Sequence, residues 1–247
     1  MSPVTPRNAA DREISIRGCK PAPEKKEDQM KKRLFFTMLS LFFLACFIGG
    51  CQKAYYSTME KFGVHKRDIM VDRVEKARDS QQEVKEQFQS ALEQFSKVLN
   101  YKRGKLEDKY NTLKAEYDKS EAKAEEVRKR IDAVEDVSEA LFDEWEDELD
   151  QYTSKSLRRD SERKLVQTRR QYEQLIKAMR RAEAKIDPVL KAFHDQVLYL
   201  KHNLNAQAIA SLQNEFVAVQ SDIAELIKEM EKSIGEANSF IKTMLEE

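Results

Sequence analysis

The chain has 247 residues, 36% charged and 40% hydrophobic, with 44 basic and 44 acidic side chains but only 6 Gly and 5 Pro. A makeup this rich in Glu, Lys, Arg, Ala and Leu, and this poor in turn formers, argues for long helices and against a strand-rich fold. Its balanced charge also argues against a globally basic nucleic-acid binder.

Residues 1–29 are polar, hold Pro3, Pro6, Pro21 and Pro23, and show no apolar period. They read as a disordered or non-native upstream extension, with Met30 as the natural start. Residues 30–50 read as a signal peptide: Lys31, Lys32 and Arg33 form a positive n-region, Leu34 to Ile48 an apolar stretch of 15 residues, and Gly49-Gly50 a small-residue exit. A spanning helix wants about 20 apolar residues, so an uncleaved anchor is the competing reading. The end of this run, Ile48-Gly49-Gly50-Cys51, resembles a bacterial lipobox. The resemblance implies lipid on the Cys51 thiol, cleavage just before it, and attachment to a membrane through the acyl groups. Gln52, where lipoproteins retained in the inner membrane tend to carry Asp, implies the periplasmic face of the outer membrane. Cys19 and Cys46 would leave with the signal, so the mature chain would hold no internal disulfide.

Residues 51–68, the lipidated Cys and a membrane-proximal segment, include Lys53, Tyr55, Tyr56, Lys61, Phe62, Lys66 and Arg67. Two readings stay open for them: aromatic and basic contacts at a lipid headgroup boundary, or the first turns of the helical body.

Residues 69–247 carry the helical pattern. Val84, Phe88, Leu92, Phe95 and Leu99 form one stripe, then Leu106, Tyr110, Leu113, Tyr117, Ser120, Ala124, Val127, Ile131, Val134, Ser138, Leu141 and Trp145 step by four and three, as a heptad seam does. The two stripes differ in phase across Asn100 to Gly104, which predicts a turn there, an unbroken helix with a stutter being the alternative. A third stripe runs from Leu165 through Tyr172, Leu175, Met179, Ala182, Ile186 and Val189 to Phe193, and Pro188 should kink it or start a new helix. A fourth comprises Leu212, Phe216, Val219, Ile223, Leu226, Met230, Ile234, Ala237, Ile241 and Met244, with Asn203 and Asn205 as turn and N-cap candidates before it.

Charge predicts one pairing. Residues 132–150 hold ten acids and no base, whereas residues 155–185 hold eleven bases and four acids. Folding back at residues 151–156 would lay an acidic helix on a basic one. The expected fold is all-α: an elongated antiparallel helical bundle, or coiled coil, of four or five long helices.

The segments "KRDIMVDRVEKARDSQQEVKEQFQSALEQF", "LEDKYN", "SEAKAEEVRKRIDAVEDV", "SLRRDSERKL" and "MRRAEAK" together resemble the bacterial domain-of-unknown-function 2959 family, with similarity from about Cys51 to the C-terminus. That resemblance implies a lipoprotein-like helical protein and supplies no catalytic residues. The residues themselves offer no glycine-rich phosphate loop and no GxSxG elbow. His65, His194 and His202 are too few and too scattered to suggest a metal site, and no cofactor is expected. The resulting expectation is a non-enzymatic, lipid-anchored periplasmic envelope protein serving as helical scaffold, spacer or protein-binding module. It would contact an unknown envelope protein and leave nucleic acid alone, and its long stripes could be satisfied within one chain or between the chains of a homo-oligomer. The alternative is a cytoplasmic coiled-coil or nucleic-acid-associated protein whose apolar run is a core helix.

Overall fold

The computed structural model of the chain describes residues 55, 56, 59, 63–100, 105–203 and 206–246. All of them belong to one compact unit, Lys53–Glu247. Among the described residues five helices follow in chain order: α1 Lys66–Leu99, α2 Leu106–Leu149, α3 Lys155–Ala184, α4 Ile186–His202 and α5 Ala206–Glu246. No strand occurs among the described residues. At 1.5 Å per residue the 44 residues of α2 span about 66 Å.

Helices α3 and α4 act as one interrupted rod, so four rods pack as a bundle. α1 lies against α2 and α5, and the α3–α4 rod lies against the same two. Cross-links along each interface fix the directions. Lys66 at the start of α1 meets Glu144 near the end of α2, while Gln87 further along donates to Glu116. Arg67 reaches Met244 at the end of α5, and Gln213 near its start donates to the Leu99 carbonyl. Each neighbouring pair is therefore antiparallel, as the short connections require.

The sequence expectation of a turn, not a stutter, before α2 is met: α1 stops at Leu99 with Asn100 as its C-cap, and α2 starts at Leu106 running back along it. Gly104, expected to aid that turn, lies outside the described residues. The fold-back at 151–156 is also met, with Ser154 capping α3 by accepting from the Leu157 N–H at 3.4 Å. Of the two expectations for Pro188, the new start holds. Pro188 is the third residue of α4, where a missing N–H costs least, and the residue four before it, Ala184, is the last of α3. Asn203 caps the end of α4, and Asn205 lies outside the described residues.

The four stripes meet in a single core. Its distal part is aromatic: Phe95 on α1 stacks on Phe193 of α4 at 6.2 Å and stands edge-on to Phe216 of α5 at 5.3 Å, while Tyr117 of α2 abuts Phe193 at 6.1 Å. All four rods thus join there. One expected seam residue is corrected: Ile234 is only partly buried, and Ser233 takes the fully buried place beside it, whereas Leu92 packs against the core from a partly buried position beside fully buried Ala91. Ser233 donates to Gln81 Oε1 at 2.9 Å, with both side chains wholly buried.

Candidate functional site

The antiparallel order gathers the start of α1, the end of α2, the start of α3 and the end of α5 at one end of the bundle, called the proximal end because the chain arrives there from Cys51. Sequence reasoning aimed Tyr55, Tyr56, Lys66 and Arg67 at this place. Their neighbours Lys53, Lys61 and Phe62, and the lipobox residues Ile48, Gly49, Gly50 with Cys51, lie outside the described residues.

Tyr56 is 2% exposed and belongs to the core. Its hydroxyl accepts from Arg73 Nη1 at 2.8 Å, and the same guanidinium donates to the Ala133 carbonyl of α2 at 2.7 Å. Burial pushes the Tyr56 phenol above its ordinary pKa, with the adjacent Arg73 charge opposing the shift. Tyr55 is exposed and meets the Tyr56 ring edge-on at 5.3 Å. A turn then leads into α1, with Gly63 at φ +79° and the Val64 N–H donating to the Met59 carbonyl at 3.1 Å.

The two cations entering α1 are committed inward. Lys66 is buried and pairs with Glu144 of α2 at 2.7 Å. Arg67 Nε donates to the Met244 carbonyl in the last turn of α5 at 3.0 Å, which satisfies one of the acceptors a helix end leaves open. Between them a cleft of about 180 Å³ is lined by Arg67, Leu141, Glu144, Trp145, Glu148 and Met244. Trp145, the lone tryptophan of the chain, donates to Ser161 Oγ of α3 at 2.8 Å and so ties the α2–α3 hairpin shut. Of the two readings left open for this segment, packing as first turns of the body is the one that Tyr56, Lys66 and Arg67 follow; Tyr55 remains at the surface.

The acid–base pairing of α2 with α3 is present rung by rung. Arg158 meets Asp150 at 2.9 Å, Arg169 meets Glu146 at 2.7 Å while lying over the Phe142 ring, and Arg180 bridges Asp132, Glu135 and Glu183. Three carboxylates, Glu135 first, hold the Arg180 guanidinium protonated even more firmly than usual. Arg128 extends the ladder to Glu183 and Asp187 across the α3–α4 break.

The histidines stay apart. His65 is the N-cap of α1, His194 lies exposed beside Tyr117, and His202 ends α4. Among the described residues no group of three His, Cys, Asp or Glu could hold a metal ion. No helix among them is long and apolar enough to cross a membrane. Sequence reasoning missed Arg73, which joins Tyr56 to α2, and the Gln81–Ser233 pair. A polar residue in a seam position was the available signal for the latter.

No curated protein and no solved structure matches the chain. A family model described as "Protein of unknown function (DUF2959)" matches residues 55–244, from the first described tyrosine to the methionine whose carbonyl Arg67 holds. With its four antiparallel rods covered almost end to end by that model, the chain belongs to the DUF2959 family.

Proposed function

We propose that this chain is a non-enzymatic envelope protein, attached to the periplasmic face of the outer membrane through acyl groups on Cys51, whose helical bundle is a scaffold or spacer for another envelope protein. The observation that carries the reading is the uninterrupted order of basic n-region, apolar stretch, Ile48-Gly49-Gly50 and Cys51 directly ahead of the family-matched bundle. A supporting feature is the use made of polar side chains at the proximal end. Lys66, Arg67, Arg73 and Trp145 hold helices to one another, as a load-transmitting strut requires. One acyl chain gives only marginal attachment, so stable anchoring takes the two or more chains of a diacylated cysteine.

The test is mass spectrometry of the protein from the membrane fraction. A mature chain that begins with diacylated Cys51 is expected, and Cys51→Ala should leave an unprocessed precursor. Recovery of a chain that still carries residues 34–50, or normal processing of the variant, would overturn the reading.

A further inference from the structure

The chain joins the bundle from its side. The Tyr56 hydroxyl meets Arg73, and Tyr55 lines a cleft with Asp72, Lys76 and Arg130. Arg73 lies about 10 Å along α1 from its first residue, Lys66. The α2–α3 hairpin extends the other way: α2 continues past Glu144, the partner of Lys66, to Leu149 before the fold-back at 151–156. The fold-back therefore stands beyond the start of α1, about 18 Å from the level of Arg73.

The hairpin carries its apolar stripe past the helices that cover it. Leu157, Ser161, Leu165 and Thr168 follow one another on α3 at steps of four and three, the spacing of a single face. Leu165 and Thr168 are buried, whereas Leu157 is 57% exposed. The reason is length: α5 ends at Glu246, just past the Met244 that Arg67 holds, so α1 and α5 both stop short of the fold-back. Tyr152 in the fold-back and Leu245 in the last turn of α5 are exposed at the same end. Residues 147–160 hold four acids and three bases, so charge selects no partner for this tip.

We propose that the α2–α3 fold-back rests in the headgroup region of the bilayer that holds Cys51, with Tyr152 and Leu157 as its lipid contacts. This rests on the acylated Cys51 of the function proposed above, and the length of the tether chooses the surface. Tyr55 follows Cys51 by four residues, a reach of at most about 14 Å. The distal end is out of range, because Leu106 lies about 40 Å along α2 from Ala133, whose carbonyl accepts from Arg73. The proximal end is well within it. With the bundle standing on that end, even a fully extended tether leaves the fold-back about 4 Å past the bilayer surface. Amphipathic elements settle about 5 to 10 Å into the headgroup boundary, which accommodates such a tip. There the Tyr152 ring is covered while its hydroxyl stays wet, and Leu157 gains the cover that α1 and α5 end too early to supply. Because the contact is apolar, it persists at high salt.

Electron paramagnetic resonance of the mature acylated protein tests it. Tyr152→Cys and Leu157→Cys each provide one free thiol for a nitroxide label, since Cys19 and Cys46 leave with the signal and lipid blocks the Cys51 sulfur. Both positions are exposed, and Val217→Cys, at a site 69% exposed on the distal half of α5, is the reference. In vesicles of phosphatidylethanolamine and phosphatidylcholine, labels at positions 152 and 157 are expected to lose most of their collisions with an aqueous nickel chelate relative to the label at 217. The loss should be equal at about 0.01 M and about 1 M salt. Where the mass spectrum of the same sample shows diacylated Cys51, equal access at 157 and 217, or protection that vanishes at high salt, overturns the proposal and leaves the anchor standing. A sample whose Cys51 carries no acyl groups overturns the anchoring reading and this proposal together.

Discussion

Residue by residue, the proximal end shows how position decides what a polar side chain does. In sequence Lys66 and Arg67 suit either a lipid headgroup boundary or the first turns of the body; in the structure one is buried on Glu144 and the other holds the last turn of α5. The central Gln81–Ser233 pair poses a different question, because Gln81 Nε2 is buried without an acceptor. Leaving a buried amide unpaired costs about 1 to 3 kcal/mol, whereas exchanging both partners for apolar groups of similar shape is close to neutral. Ser233→Ala is therefore expected to destabilise by about 1 to 3 kcal/mol, and Gln81→Met/Ser233→Ala to recover most of that loss. Urea midpoints of the singles and the double form the required cycle, and additive losses would show that the pair is uncoupled.

Among the elements, the α2–α3 hairpin was legible in the sequence because its signals are local: ten acids, a short polar turn, then eleven bases. The same locality warns against reading stability into it. Arg180 engages three carboxylates but keeps about a third of its side chain exposed, at 35%. Exposed pairs are each worth about 0 to 1 kcal/mol, so Arg180→Met, which keeps the aliphatic contact and gives up three of them, should cost about 1 and at most about 3 kcal/mol. A urea-induced unfolding midpoint that falls only slightly is the expected result. A loss of several kcal/mol would mean that the network carries the hairpin. The ladder thus selects register and partner, while the apolar stripes beneath it supply the energy. At the α3–α4 junction Pro188 announced a break, but kink and fresh start differ only in where the proline sits relative to the first turn. That depends on how the rod docks on α2 and α5, through contacts such as Arg128 with Asp187 and Lys185 with Glu225.

For the molecule as a whole, one pH dependence follows from burial. Tyr56 and Tyr172 both have phenol pKa values raised chiefly by desolvation, opposed by Arg73 at Tyr56 and by the Ser138 hydrogen bond at Tyr172. With tyrosine ordinarily near 10, the unfolded chain releases these protons before the folded one does. Stability from this source is complete below about pH 10 and falls as pH rises from there toward the folded-state values. Urea midpoints measured across that range should decline less steeply for Tyr56→Phe/Tyr172→Phe than for the wild type; parallel declines would assign the loss to lysines instead. The helical class, four apolar stripes, the turn at 151–156 and the charge pairing were determined by sequence alone, because periodicity and local charge are properties of neighbouring residues. Tertiary structure decided which face of each stripe turns inward, placing Ser233 ahead of Ile234 and Ala91 ahead of Leu92. It also decided that Tyr56, Lys66 and Arg67 join the bundle. Those outcomes depend on the rotation of each rod against two others, which no window of sequence contains.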